Sequence, residues 1–252
     1  MKEILLGILN AAAWTMEAPE LFSAGQIIMS LSAAVCGIFL YLAVRNRPAE
    51  KLLGFLKTAG IVFLCAECFR QLFLYFVMFD ETYNWFYFPF QLCSMPMYLC
   101  LLVRHEKLQP GIYAFLSSYG LIAAVCALMF PEDMLKPYVV ITFISFAWHG
   151  LMITAALVSA RLCRIRGGSF LQALLIFAVC AVAASAVNIL SYPYSSGMPA
   201  DMFYISPYTY NTQPFFGRIA KAYGKIPESI LYLCLLSLSA KAVYETEKQL
   251  HK

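Results

Sequence analysis

Charged residues are scarce in this chain of 252 residues, at 13%, whereas a soluble domain carries about a quarter. Apolar residues make up 62% of the sequence, and its mean hydropathy is +0.71. One soluble globule of this length cannot bury so much apolar surface, so the composition indicates a protein surrounded by lipid. The net charge of +4 is small and no basic cluster lies between aromatic residues, so we expect no nucleic-acid partner.

The motifs of common soluble enzymes are missing as well. The sequence has no G-x-S-x-G elbow, no HExxH zinc motif and no P-loop. Nearly all of the nine cysteines lie within apolar runs, which argues against a disulfide framework. Cys65 and Cys68 form a CxxC pair, but a zinc site needs two further ligands. Cys93 and His149 are the only apparent candidates, and we expect neither a metal site nor a cofactor.

Long apolar runs are the main feature that is present. A bilayer core about 30 Å thick needs roughly 20 residues of apolar helix. Seven runs approach this length and predict an all-α membrane protein, a bundle of about seven transmembrane helices. We expect a single polytopic domain over residues 1–252, with an interfacial segment at 1–23 and a long external loop at 192–227. The runs are 24–44, 52–79, 86–103, 111–130, 138–160, 169–191 and 228–244.

Lysine and arginine are unevenly distributed over the connections between these runs. They concentrate in the first, third and fifth connections and in the tail, whereas the second has none and the fourth has only Lys136. The sixth connection carries Arg218, Lys221 and Lys225, but it is long, and long loops count less. Short cytoplasmic loops carry the excess of Lys and Arg, so the pattern predicts an external N-terminus and a cytoplasmic C-terminus. The residues concerned are Arg45, Arg47, Lys51, Arg104, Lys107, Arg161, Arg164, Arg166, Lys241, Lys248 and Lys252.

Several polar side chains lie inside the apolar runs, where an ionisable group costs roughly 2.5–3.5 kcal/mol on insertion scales. Glu67, Arg70 and Gln71 share one helix face because they are three and four residues apart. At a rise of 1.5 Å per residue, the two charged groups, Cys93 and His149 lie about 10–18 Å below the predicted outer edge. We therefore expect an outward-facing polar cavity covered by the long external loop. Its predicted substrate-binding residues are Glu67, Arg70, Gln71, Gln91, Ser94 and Asn188.

Each of these side chains also has a structural interpretation. Glu67 and Arg70 can form an ion pair that fixes helix packing, and polar residues also join neighbouring helices. A cysteine within a span is often a small apolar filler. Cys93 differs from the other cysteines because it follows Pro89-Phe90-Gln91-Leu92 and shares its estimated depth with Arg70. A cation or a histidine activates a thiol, so Cys93 is the candidate nucleophile and His149 the candidate base.

Residues 88–93, FPFQLC, resemble the LPLHLC signature of YwaF-like integral membrane proteins, whose animal branch is transmembrane protein 164. The region 188–227, with YISPY, QPF and GKIP, resembles the loop of that family before its last span. His149 stands where the family carries a histidine in its fifth span. The chain departs from the signature at Gln91, where the family has His, and at Ser94, where it has Asp.

The resemblance implies a heptahelical phospholipid acyltransferase that works through an acyl-cysteine, with Cys93 as nucleophile and His149 as base. It also implies membrane lipid as the partner and a cell membrane, bacterial plasma membrane, as the location. Since Gln91 cannot act as a base, activation of Cys93 would fall to His149 or Arg70. The alternative is a small-solute transporter or ligand-binding receptor that uses the same cavity without covalent chemistry. Substrate identity and oligomeric state stay open.

Overall fold

The structure, a computed structural model, describes residues 2–211 and 213–249, and these residues form helices joined by short connections. Its described residues contain no β-strand, and an isolated bridge joins Thr15 to Tyr138. The prediction of an all-α protein is therefore confirmed. The α-helices are α1 (Lys2–Ala11), α2 (Ala24–Val44), α3 (Ala49–Phe73), α4 (Met95–Leu102), α5 (Gln109–Phe115), α6 (Leu121–Met129), α7 (Val139–Arg166), α8 (Phe170–Ser191), α9 (Pro214–Tyr223) and α10 (Lys225–Gln249).

Six helices within the described residues are long and apolar enough to cross a membrane. They are α2, α3 with its π-helical extension Leu74–Met78, α5 and α6 joined by the π-helical turn Leu116–Gly120, α7, α8 and α10. Large apolar side chains cover their outer faces; Leu175, Val179 and Val182 of α8, for example, are each more than half exposed. Such a surface is unfavourable in water and favourable against lipid.

Residues 86–103 do not form the continuous span that the sequence predicts. A 3₁₀ turn at Trp85–Tyr87 leads into non-helical chain, and a helix covers only Leu92–Leu102. At 1.5 Å per residue this helix is about 17 Å long, which is shorter than the roughly 30 Å hydrocarbon core. Pro89 lacks a backbone N–H and lies in the non-helical part, whereas Pro96 occupies the first turn of α4, where that N–H is not needed.

Tight packing between α2 and α7 depends on two glycines. A Cβ atom added to Gly37 would lie 2.2 Å from the carbonyl oxygen of Gly150, and one added to Gly150 would lie 2.6 Å from that of Ala33. The hydroxyl of Thr154 donates a 2.8 Å hydrogen bond to the carbonyl of Gly37. Small residues four apart allow two helix backbones to approach closely in a membrane, where no hydrophobic force draws helices together.

The helix ends form two groups, one at each end of the bundle. At one end Arg166 pairs with Glu50, Ser169 donates its backbone N–H to Pro110, and Tyr244 donates its hydroxyl to Gly168. These contacts bring together the start of α3, the start of α5, the α7–α8 junction and the end of α10. The opposite end contains the loop at 192–227 that the sequence predicts to be external, referred to below as the external loop. The connections before α4 and α7 and the polar cavity lie at the same end.

Candidate functional site

A cavity of about 150 Å³ lies near the end of the bundle that carries the external loop. Its walls come from α3, the segment before α4, α6 and its following turn, α7 and the external loop. Six of the eight predicted site residues line it: Glu67, Arg70, Gln91, Cys93, Ser94 and His149. Six aromatic side chains form much of the remaining wall: Phe86, Tyr87, Phe88, Phe130, Trp148 and Tyr204.

An ion pair from α3 forms the charged wall of the cavity. The Nε and Nη2 atoms of Arg70 donate to the two carboxylate oxygens of Glu67, at 2.9 and 2.7 Å. Gln71 donates to the same carboxylate at 2.7 Å and to the carbonyl oxygen of Tyr87 at 2.6 Å. Their three- and four-residue spacing puts all three on one helix face, as predicted. Gln71 thus supports the pair and does not line the cavity.

Cys93 is held by a turn that interrupts the helical chain. The 3₁₀ turn Leu92–Ser94 carries it into the wall of the cavity, and the indole Nε1 of Trp148 donates to its carbonyl oxygen at 2.9 Å. The hydroxyl of Tyr98 donates to the carbonyl of Pro89 at 2.7 Å and fixes the non-helical chain just before the turn. These bonds satisfy backbone oxygens that a continuous helix would have paired internally, as a membrane requires.

His149 of α7 is buried and lines the cavity. Its Nδ1 lies 2.7 Å from the carbonyl oxygen of Ser145. A carbonyl oxygen only accepts hydrogen bonds, so Nδ1 carries the proton and Nε2 keeps its lone pair. Nε2 is buried without a hydrogen-bond partner among the described residues. Burying an acceptor without a partner costs free energy. Such an acceptor in a cavity wall is therefore a candidate to accept a hydrogen bond from a ligand.

The external loop is fastened to the cavity by two amide side chains. Gln91 donates to the carbonyl of Asp201 at 2.8 Å and accepts from the N–H of Phe203 at 2.9 Å. Asn188 makes the same pair of bonds with the backbone of Met202, at 3.1 and 2.7 Å. Asn188 therefore holds the loop from α8 and does not line the cavity.

Backbone strain in the loop brings Tyr204 into the cavity wall. Phe203 and Tyr204 both have φ of 58°, a left-handed conformation that non-glycine residues rarely adopt. Such strain persists only where surrounding contacts enforce it, and here the amide bonds of Gln91 do so. Burial and the neighbouring Asp133 raise the pKa of Tyr204, and its hydroxyl donates to that carboxylate at 3.2 Å.

Comparison with protein families identifies the family of this chain. The profile of the TMEM164 family matches residues 21–239, which is most of the chain and includes every residue of the cavity. The chain belongs to the TMEM164 family. Searches of curated proteins and of solved structures give no match.

Membership of the TMEM164 family confirms the resemblance inferred from FPFQLC and the 188–227 region. Together with the six apolar helices, it makes the chain a multi-pass membrane protein. Gln91, where the resemblance implied a histidine, lines the cavity and bonds through both ends of its amide to the backbone of the loop.

Sequence reasoning missed Tyr204, Asp133 and Trp148 as parts of the cavity. Aromatic residues are common throughout the chain, at 15% of the sequence, so no single one stands out. Asp133 lies in a short polar connection, where a carboxylate needs no explanation. Only the folded loop brings Tyr204 to Asp133, across 71 residues of sequence. Cys65 and Cys68 are exposed on the outer surface, away from the cavity.

Proposed function

We propose that this protein is a lipid acyltransferase or acyl hydrolase that works through an acyl-cysteine at Cys93. One observation carries the proposal: Cys93 and His149 line the same small cavity, and Nε2 of His149 has no hydrogen-bond partner among the described residues. A thiol becomes a strong nucleophile when an adjacent base accepts its proton. The hydrogen bond from Nδ1 to Ser145 fixes the histidine in the tautomer that can accept at Nε2.

In the first half-reaction His149 accepts the thiol proton at Nε2 while Sγ of Cys93 attacks the carbonyl carbon of an acyl ester. The carbonyl becomes a tetrahedral oxyanion. As the C–O bond of the ester breaks, the leaving alcohol takes the proton from Nε2, and the acyl group remains as a thioester on Sγ. Nδ1 keeps its proton throughout because Ser145 holds it.

In the second half-reaction an incoming hydroxyl gives its proton to Nε2 and attacks the thioester carbon. The C–S bond breaks, the proton returns to Sγ, and Cys93 is regenerated. A lipid hydroxyl as acceptor makes the reaction acyl transfer, whereas water makes it hydrolysis. No oxidant, reductant or cofactor is needed, because both steps exchange one acyl bond for another.

The size of the cavity limits which part of a lipid it can hold. A cavity of about 150 Å³ has the volume of the engineered protein cavities that accommodate one benzene molecule. It therefore accommodates the reacting ester and the atoms beside it but not the acyl chains. The chains of a lipid substrate would extend out of the cavity into the surrounding hydrocarbon.

We also propose seven crossings of a bacterial plasma membrane, with the N-terminus outside and the cavity in the outer half. The grouping of helix ends supports this, because α3 and α5 start at the same end of the bundle. The chain must cross between them, and Leu92–Leu102 with the non-helical segment before it is the only stretch available. The non-helical backbone lines the cavity, the one setting in which such backbone is tolerated within a membrane.

Acyl labelling of the purified protein tests the proposed chemistry. We expect incubation with an alkyne-tagged phospholipid to give a hydroxylamine-sensitive label on Cys93. His149→Ala should slow labelling by about 10²–10⁴-fold, the usual contribution of a general base. Cys93→Ala should abolish the label and leave the melting temperature in detergent nearly unchanged, since the two side chains are similar in size.

Matched variants exist for both residues. Cys100 is completely buried against Gly60, away from the cavity, so Cys100→Ala should leave the label intact. His105 lies in the connection before α5, so His105→Ala should label at the wild-type rate. Equal labelling of Cys93 and Cys100 would contradict the proposal. Failure of Cys93 to label with several classes of acyl donor would favour the transporter or receptor that uses the cavity without covalent chemistry.

A further inference from the structure

Arg70 has N–H donors that no described residue accepts. A guanidinium carries five N–H groups, of which Nη1 holds two. Nε bonds to Glu67, and Nη2 bonds to Glu67 and to the carbonyl of Tyr87. Nη1 has no partner among the described residues, and Arg70 lines the cavity. The two free N–H groups need an acceptor, and the cavity is the place where a ligand can supply one.

The orientation of this guanidinium is fixed before any ligand binds. Three hydrogen bonds to two different groups, at 2.7 to 3.3 Å, hold its plane. Glu67 is itself held by Gln71, which also bonds to Tyr87. Donors that are already oriented stabilise a developing charge without a cost of reorganisation, which is the main requirement of an oxyanion-binding group.

The balance of charges around the cavity indicates what kind of oxygen the N–H groups of Arg70 bind. Glu67 neutralises Arg70 at 2.7 Å, and the other carboxylate on the cavity is Asp133. Lys136 is 5.2 Å from the ring of Tyr87, outside the cavity lining. A permanently anionic group would therefore meet a wall without net positive charge. A neutral carbonyl oxygen that gains charge only during the reaction fits this wall better.

Cys93, Arg70 and Glu67 line the same cavity of about 150 Å³. An acyl carbon bound to Sγ would thus place its oxygen near the guanidinium. The N–H of Ser94, directly after the nucleophile, is already bonded to the carbonyl of Gln91 at 2.8 Å. The tetrahedral intermediate therefore needs a donor other than this N–H, and the Nη1 groups of Arg70 are available at the same cavity.

We infer that Arg70 is the oxyanion-binding residue of the acyl-cysteine reaction, in which the N–H groups of Nη1 donate to the carbonyl oxygen of an acyl ester. The inference rests on the proposed function and names its substrate class as an ester recognised at its carbonyl. Glu67, Gln71 and the carbonyl of Tyr87 are positioning groups for the guanidinium. A headgroup phosphate is not required for binding at Arg70.

The test compares Arg70→Lys with wild type on two acyl donors, an alkyne-tagged phospholipid and an alkyne-tagged neutral monoacylglycerol. Lysine keeps the charge beside Glu67 but lacks the planar pair of donors. We expect the maximal rate of Cys93 labelling to fall by about 10²–10³-fold with both donors, the effect of losing an oxyanion donor. The donor concentration that gives half-maximal labelling should stay unchanged.

Two results would overturn the inference while leaving the proposed function intact. One is wild-type labelling rates in Arg70→Lys. The other is a higher half-maximal concentration for the phospholipid alone, which would make Arg70 an anchor for the phosphate. If the wild-type protein never labels at Cys93, the proposed function itself is wrong. Failure of the inference on Arg70 and failure of the proposed function are therefore distinguishable.

Two further variants test whether slow labelling results from misfolding. The double variant Glu67→Gln with Arg70→Gln removes the guanidinium without leaving an unpaired charge, which is the costly outcome in a buried pair. We expect it to melt close to wild type in detergent and to label as slowly as Arg70→Lys. Arg104→Lys, at an exposed position that does not line the cavity, should label at the wild-type rate.

Discussion

The hydrogen-bond partners of individual side chains in this protein cannot be inferred from their neighbours in sequence. Gln91 is two residues from Cys93 and replaces the histidine of the family signature, yet its amide binds the backbone of the external loop. Asn188, almost a hundred residues later, makes the equivalent bonds to Met202. Both residues were expected to bind substrate, and in both the amide is occupied by the loop backbone.

Asp201 gives the loop a pH-dependent stability. Burial raises its pKa to about 6, from an ordinary value of 3.8, although the N–H of Ser206 donates to it at 3.0 Å. The folded state therefore binds the proton more tightly than the unfolded state, and this contribution to stability is full below about pH 4 and lost as the pH rises through 6. Its size is roughly 3 kcal/mol.

We expect Asp201→Asn to flatten this dependence, because asparagine keeps the accepting oxygen and does not titrate. Melting temperatures in detergent at pH 5 and pH 7.5 measure it: wild type should gain stability at the lower pH relative to the variant. Glu132→Gln, in a connection where the carboxylate is exposed, provides the matched control and should behave as wild type. An identical pH profile for Asp201→Asn and wild type would contradict the assignment.

At the scale of elements, the crossing of α2 and α7 sets the position of His149. Gly150 follows the histidine directly and contacts the α2 backbone at Ala33 and Gly37. Any separation of the two helices would move the imidazole relative to Cys93. The sequence does not indicate which helix packs against Ala33 and Gly37, and only the folded bundle shows that it is α7.

We predict that Gly37→Val destabilises the protein by about 1–3 kcal/mol or more, the cost of overpacking, because its side chain would meet the Gly150 carbonyl. Gly54→Val is the matched control: no atom lies within 4 Å of a Cβ there, so the change should be under about 0.5 kcal/mol. Thermal unfolding in detergent compares them. Equal melting temperatures for the two variants would show that α2 and α7 do not pack at this point.

For the molecule as a whole, its orientation in the membrane remains the main expectation to test. Alternate connections differ in their Lys and Arg content, and the helix ends group into two sets accordingly. The end near Arg166 and Glu50 is the basic one, and the cavity is at the other.

A reporter fusion distinguishes the two orientations. A reporter at the C-terminus should read cytoplasmic, and one inserted at 80–85 should read external, since that connection contains no Lys or Arg. An insertion at 105–108, in a basic connection, is the matched comparison and should read cytoplasmic. A cytoplasmic signal from 80–85 would reverse the topology and place the cavity in the inner half of the membrane.

The sequence by itself determined the class of this protein, because 62% apolar residues in long uninterrupted runs leave lipid as the only suitable surrounding. It also predicted most of the helices and six cavity residues, since polar groups in such runs turn inward and helical spacing puts Glu67 and Arg70 on one face. It overestimated the run 86–103 because hydropathy does not register where proline interrupts backbone hydrogen bonding.

Only the tertiary structure decided which polar groups meet and which are already satisfied. Three amide side chains are chemically suited to bind a ligand but bond to backbone carbonyls instead: Gln71, Gln91 and Asn188. These bonds depend on how the non-helical segments fold, which no local sequence pattern predicts. Nη1 of Arg70 and Nε2 of His149 are identified in the same way, because neither has a hydrogen-bond partner among residues 2–211 and 213–249 of the folded chain. Residue spacing controls contacts within one helix, whereas contacts between helices depend on the packing of the whole bundle.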